Sequence, residues 1–453
     1  MNNADDQRLQ WIQRYADGIA TAEEVAQLQT ALKADPAFRK EFLDYVHLDG
    51  ALGDIAAGLE GAAEARRSES RVIPVPRHRF RFPLWLGAVA AAIVVLAVWF
   101  PGSSTKSGRA VDVKVVQSEG VRWFAPGPRS AEVGDRLTLD TIHLAGGSLD
   151  LRLVASGVRL KLIGPFEARF ESAMRLRVLH GRLSADVGEG GIGFTVATDA
   201  GEVVDLGTSF GVEAERGGES RVAVFSGQVK VRPGFEAQGN EFTTLSEGEA
   251  VRFSRLARLR RWEQVAMASE AAGRLSPDSS EVVAAVRDNL DDEKLHPFYG
   301  VVAGGMRRGA LAFTDKPNPR WAPAPEDVLP AWLEDADVIR TYHNFRYVSD
   351  YELTLTLRQA ATVFILVDAR QPVPSWLTER FTATGTRVTV GPWQPAMLAD
   401  EGVTQRTDGL PYLEFAVWRA EAGPGEFRLG APRDPKLNTA ALMYGVAVKA
   451  VSP

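Results

Sequence analysis

Val222-Ala-Val-Phe-Ser-Gly-Gln-Val-Lys-Val231 places apolar residues at alternate positions on either side of one glycine. Side chains of an extended chain point to opposite faces with a period of two. The segment therefore reads as a strand with one buried face, a glycine-containing tight turn and a returning strand. Leu176-Arg-Val-Leu-His-Gly-Arg-Leu-Ser-Ala185 has the same form 46 residues earlier. Such an echo predicts stacked β-hairpins rather than catalytic loops.

The same alternation spreads outward from these two stretches. Val158, Leu160 and Leu162 alternate with Arg159 and Lys161, and strand-like segments recur at Val111–Val116, Leu149–Val154, Phe166–Phe170 and Phe194–Ala197. Residues 110–255 thus read as an all-β domain of sandwich or solenoid type. Gly188-Glu-Gly-Gly-Ile-Gly193 formally matches a dinucleotide fingerprint, but a strand follows it where a phosphate-binding helix would be needed, so it reads as a hairpin loop.

Ahead of the β region, Leu84–Phe100 (LWLGAVAAAIVVLAVWF) carries no charged side chain. At 1.5 Å per residue it makes roughly 25 Å of helix, near the lower limit for a bilayer span. Six arginines against one glutamate lie between Arg66 and Arg81. The positive-inside rule then predicts a single transmembrane helix over 82–101, with a cytoplasmic N-terminus and residues 102–453 outside. Residues 1–60 carry eleven Asp/Glu against five Lys/Arg and read as three short helices. Thr21 and Glu24 form a capping box, and Asp35-Pro36 starts the third helix. So small a module buries little by itself and suits a helical partner. Residues 61–81 make a basic juxtamembrane linker.

Past the first β domain, Arg255–Arg261 is basic and reads as a solvated helix face, and Ser280–Leu290 as a short helix, within a connector over 256–292. Residues 293–453 return to β patterning, with Tyr351–Leu357 alternating and Thr362–Val367 a buried strand. The rings Trp321, Trp332, Tyr342, Phe345, Tyr347, Trp376, Trp393 and Trp418 are dense here. Most read as core, although a few on an exposed platform would suit a sugar.

Three motifs in order resemble FecR-type sigma-factor regulators. Val203–Val212 (VVDLGTSFGV) resembles the family's G-T-x-F-x-V signature through Gly207, Thr208, Phe210 and Val212. Val224–Val231 resembles its V-x-x-G-x-V-x-V pair through Gly227 and Val229, and Leu245–Ala250 its closing L-x-x-G-E through Gly248 and Glu249. The resemblance implies a bacterial inner-membrane protein whose short helical module binds an alternative, extracytoplasmic-function sigma factor in the cytoplasm while its β domain, with the C-terminus, receives a signal in the periplasm. Trp11, Tyr15, Phe38, Phe42 and Tyr45 are then the candidate sigma-factor contacts. Some members of the family are thought to cut themselves at a Gly-Thr bond, which makes Gly207-Thr208 a candidate; the alternative is a turn followed by a strand. Asp368, Arg370, Pro374, Trp376, Leu377 and Gly385 fit the pattern of an uncharacterised β-sandwich that trails FecR-type domains, of galactose-binding-like or jelly-roll type.

The expected fold is therefore multidomain: a small helical module, one membrane helix, a FecR-type β domain and a C-terminal β-sandwich. With no cysteine, thiolate metal sites and cysteine catalysis are excluded, and the six histidines show no ligand spacing. No cofactor, no metal, no enzymatic activity and no direct nucleic-acid contact are expected. The expected partners are a sigma factor on one side and an envelope protein or glycan on the other. The alternative function is a membrane-anchored carbohydrate-binding or cell-surface interaction protein.

Overall fold

The computed structural model describes residues 110–451 apart from 125–127, 129–130, 235–240, 256–257, 270–272, 292–295 and 434–441. The expected helical module, the linker and the apolar run 84–100 lie outside the described residues. Within them the chain is almost entirely β. Its one α-helix, α1 (Ser375–Arg380), has six residues, and the 3-10 turns have three to five. Six residues rise only about 9 Å, against the ~30 Å of a bilayer core. Among the described residues no helix is long and apolar enough to cross a membrane. The expected fold class and the single-pass inner-membrane placement are corrected accordingly: neither helical part is shown.

The first sheet has 13 strands. They are β1 (Val111–Trp123), β2 (Arg136–Leu139), β3 (Thr141–Leu153), β4 (Arg159–Ser172), β5 (Arg175–Asp186), β6 (Thr195–Ala197) and β7 (Gly201–Asp205). There follow β8 (Ser209–Ala214), β9 (Glu219–Ser226), β10 (Gln228–Pro233), β11 (Thr243–Ser246), β12 (Ala250–Ser254) and β13 (Arg260–Arg261). Period-two patterning governs their faces. In β1, Val111, Val113 and Val115 are buried while Asp112, Lys114 and Val116 face solvent. Phe166, Phe170, Phe194 and Phe210 fill the common core, each contributing about 1.5–3 kcal/mol by leaving water.

The two expected hairpins are absent. β5 runs unbroken through Gly181; its first half pairs β6 and its second half β8. At Gly227 the chain passes from β9, which pairs β8 and β12, to β10, which pairs β7 and β11. Each glycine marks a place where a long strand changes partners, so both segments alternate as the sequence does without folding back. The segment Gly188–Gly193 likewise joins β5 to β6, which pair in parallel, and is not a hairpin loop.

The rest of the described chain forms two further sheets. A 10-stranded sheet runs in the order β14 (Gln264–Ala266), β16 (Tyr299–Val302), β19 (Asp337–Arg340), β26 (Gly445–Ala450), β21 (Ala361–Asp368), β24 (Pro411–Ala422), β22 (Thr382–Gly391), β18 (Arg320–Trp321), β17 (Ala310–Leu311), with β23 (Thr404–Gln405) on β24. Three more strands, β15 (Val283–Asp288), β20 (Leu353–Leu357) and β25 (Gly425–Leu429), make the smaller sheet, and both sheets share one apolar core. The helix expected over 280–290 is strand β15: Val283 and Val286 go into that core, and the segment pairs with β20 across a bulge. Arg260–Arg261 is strand as well, paired with β12, and Arg261 is buried rather than solvated.

Candidate functional site

The G-T-x-F-x-V segment turns a corner. β7 ends at Asp205 opposite Val229, and β8 begins at Ser209 opposite Ser226, so two adjacent chains bend together at Gly207 and Gly227. Both glycines have positive φ, +98° and +77°, which an L side chain adopts only with strain. A Cβ on Gly227 would lie 2.6 Å from Thr208 Cγ2 and 3.0 Å from the Gly207 carbonyl oxygen. The buried Asp205 carboxylate fixes the turn: it accepts the N–H of Gly207 at 2.7 Å and of Thr208 at 2.9 Å, and the Thr208 hydroxyl also donates to it. Burial pushes the Asp205 carboxyl up, and these three hydrogen bonds oppose that rise. A hydroxyl on a carboxylate has the partners of an activated nucleophile. A carboxylate accepting N–H groups two and three residues onward is also a turn-forming aspartate, and Gly207 bears its φ without strain. Phe210 and Val212 point into the core beyond the corner, as does Val229 on the neighbouring strand.

The L-x-x-G-E segment forms the seam with the other sheets. Gly248 has φ +83°; its N–H donates to Val224 O and its carbonyl accepts the Phe298 N–H, both at 2.9 Å. A Cβ there would meet Tyr342 Cε2 at 3.0 Å and Asp315 Cβ at 3.2 Å. Glu249 closes the loop by accepting the Ser246 N–H at 2.7 Å. Ala250 N–H donates to His296 O at 2.7 Å, and the Phe225 and Phe298 rings meet edge to face. Burial raises the carboxyls of Glu247 and Asp315, and the charge of Asp315 adds to the rise at Glu247. Gly211, inside the first motif, leaves room for Leu275: a Cβ would stand 2.7 Å from Leu275 Cγ.

In the C-terminal part, Arg370 grips Asp368 with Nε at 2.9 Å and Nη2 at 2.7 Å. Pro374 and Leu377 are buried around α1. The Trp376 indole N–H donates to Ala431 O at 2.8 Å, and its ring packs on Gly430, Phe381 and Tyr444. These residues hold the fold together. Asp368 and Gly385, from opposite ends of the motif, meet at a cleft of about 240 Å³ that Gln371, Arg387 and Trp418 also line. Sequence reasoning passed over Gln371 and Arg387, and no spacing signal marks them. Of the eight rings singled out, Trp332 and Tyr347 are exposed, and Trp321, Phe345 and Trp393 are core. Among the described residues no group of three or more potential ligands could hold a metal ion. Trp11, Tyr15, Phe38, Phe42 and Tyr45 lie outside the described residues.

Residues 162–230 match the model of the family described as FecR protein. No curated protein matches. Two crystal structures of a candidate anti-sigma factor from Parabacteroides distasonis are similar over 27% and 26% of this chain, at 22% and 20% identity and a TM-score of 0.23 each. This chain spans 58% and 57% of theirs. A β-glucuronidase of glycoside hydrolase family 2 is similar over 76% of this chain and 36% of its own, at 13% identity and a TM-score of 0.29. TM-scores so low carry no argument. The family match runs from within β4 to within β10 and contains the whole Gly207–Gly227 corner. Over residues 162–230, then, this chain is similar to the family described as FecR protein.

Proposed function

We propose that the chain regulates an alternative sigma factor of the extracytoplasmic-function class by binding it, without turnover. The observation that supports this best is the FecR match over 162–230, in which the signature residues Gly207, Thr208, Phe210, Val212, Gly227 and Val229 build one bent pair of strands. The sigma-factor contacts belong to residues 1–60, through Trp11, Tyr15, Phe38, Phe42 and Tyr45. The FecR-type domain over 110–255 and the C-terminal domain over 293–453 receive the signal, and residues 256–292 join them. Gly248 and Glu249 carry the effect of that signal between the two, because their loop is hydrogen-bonded on both sides of the seam.

Co-expression of the tagged full chain with each alternative sigma factor of its source tests this. One sigma factor is expected to co-purify in stoichiometric amount, and Phe38→Ala with Phe42→Ala should release it. Failure of every sigma factor to bind would remove the proposal.

A further inference from the structure

Two halves of the C-terminal motif wall one cleft, and they arrive there by different means. On one side Asp368 ends β21; Arg370 clamps its carboxylate, and the Gln371 N–H donates to its carbonyl at 3.2 Å, fixing the loop. On the other side β22 loses register with β24 between Ala383 and Arg387, and Gly385, at φ +74°, carries the strand outward. Bulges of this kind re-aim side chains at functional rims. The Thr384 hydroxyl donates to Val417 O at 2.8 Å, satisfying a carbonyl that the bulge leaves out of the ladder. In register, Ala383 faces Trp418 and Arg387 faces Ala416, so all four lie on the cleft side of the sheet.

The volume, about 240 Å³, lies just below the roughly 300–1,000 Å³ of sites for drug-sized molecules and suits one ring. Trp418 is half-buried and supplies a flat apolar wall. Arg387 is exposed at the rim and has no ion-pair or hydrogen-bond partner among the described residues, whereas the fork of Arg370 is taken by Asp368. A guanidinium presents paired N–H donors that match a carboxylate. Gln371 and Thr386 add an amide and a hydroxyl to the lining, which match ligand hydroxyls better than a second apolar ring would.

We propose that this cleft binds one carboxylate-bearing sugar ring, a uronic acid residue, with its apolar face on Trp418 and its carboxylate on Arg387. The site stands apart from the sigma-factor proposal, and its loss would leave that proposal untouched.

Tryptophan fluorescence and calorimetry on the full chain, with D-glucuronate, D-galacturonate, D-glucose and acetate at matched ionic strength, test it. A uronate is expected to saturate, with glucose and acetate each weaker by about tenfold or more, the loss of one charge-assisted contact or of the ring contact. Arg387→Gln should weaken uronate by about tenfold and leave glucose unchanged, while Trp418→Leu should weaken both sugars. Arg387 is exposed, so its variant keeps the test valid should Trp418→Leu fail to fold. Equal affinity for glucose and uronate, unaltered uronate binding by Arg387→Gln, or no saturation by either uronate would overturn the proposal.

Discussion

Arg261 and Asp288 form a bidentate ion pair with neither side chain exposed, Nη1 to Oδ1 at 2.8 Å and Nη2 to Oδ2 at 2.6 Å. The pair ties β13 of the first sheet to β15 of the three-stranded sheet. Tyr299 of the 10-stranded sheet adds its hydroxyl to Asp288, and Tyr351 hydrogen-bonds Tyr299 at 2.9 Å. Arg261 Nε donates to Pro297 O at 2.5 Å, so all three guanidinium nitrogens are hydrogen-bonded, and the Tyr299 ring lies 5.6 Å from the guanidinium carbon.

Arg261→Met strands a buried carboxylate and should cost about 3–5 kcal/mol, the usual consequence of removing one partner of a buried pair. The double variant Arg261→Met, Asp288→Leu should recover much of that loss, because no charge is left unpaired. Denaturant unfolding of the three proteins reads the difference. Burial alone would raise the Asp288 carboxyl, yet Arg261 and Tyr299 hold it below its ordinary value. Its contribution is therefore present above the unfolded carboxylate pKa, near ~3.9, and is lost as pH falls through the lower folded value. Asp288→Asn should flatten that acid limb.

Glu247 and Asp315 carry the opposite sign. Both carboxyls are raised, first by burial, so the folded state favours their protonated forms. Their stabilising contribution is complete below the unfolded pKa, roughly 4, and disappears as pH rises through the folded values. Glu247→Gln should raise the unfolding temperature near neutral pH and weaken its dependence on pH from about 4 to 8. A larger dependence in the variant would count against the assignment.

At the FecR corner, Gly227→Ala should destabilise by about 1–3 kcal/mol, because the new Cβ meets Thr208 and the residue must hold a positive φ. Asp205→Ala should cost a similar ~1–3 kcal/mol by leaving buried donors unmade. The wild-type chain should run as one band of 49.2 kDa on a denaturing gel. Two fragments meeting between Gly207 and Thr208 would show that the Asp205–Thr208 contact serves peptide cleavage rather than the turn.

Arg340 is 2% exposed; Met267 Sδ at 3.8 Å is its side chain's polar contact, and its Nε has no partner among the described residues. Burial, with the nearby Arg320 charge, lowers its pKa to about 10. Arg340→Met removes the desolvation cost and keeps the volume, and should stabilise by about 1–4 kcal/mol. Thermal unfolding checks the sign; a destabilised variant would mean that the guanidinium is compensated.

The β character of the described residues was legible because one buried face leaves an alternating record, as in Val111 to Val115 and Leu353 to Leu357. Partner exchange leaves none: a strand that bends at Gly227 and a hairpin that turns there share one pattern of residues. The run Arg255–Arg261 misled for a related reason. Charge suggests solvent, and only the fold brings Asp288 and Tyr299 to Arg261. Ser280–Leu290 has spacings that suit a helix as well as a bulged strand, and pairing with β20 decides. Of the site, Gly207, Gly227 and Gly248 were legible as motif glycines, while the corner and the seam that require them were not.

The central claim, control of a sigma factor, is tested most directly by transcription from a promoter of the sigma factor encoded nearest this chain's gene. Its output is to be compared in cells with the chain, without it, and with Phe38→Ala and Phe42→Ala together. Output should change by about tenfold or more, equivalent to ~1.4 kcal/mol or more of altered sigma-factor occupancy, when the chain is removed. The double variant should behave like the deletion. Unchanged output in the deletion strain would contradict the account.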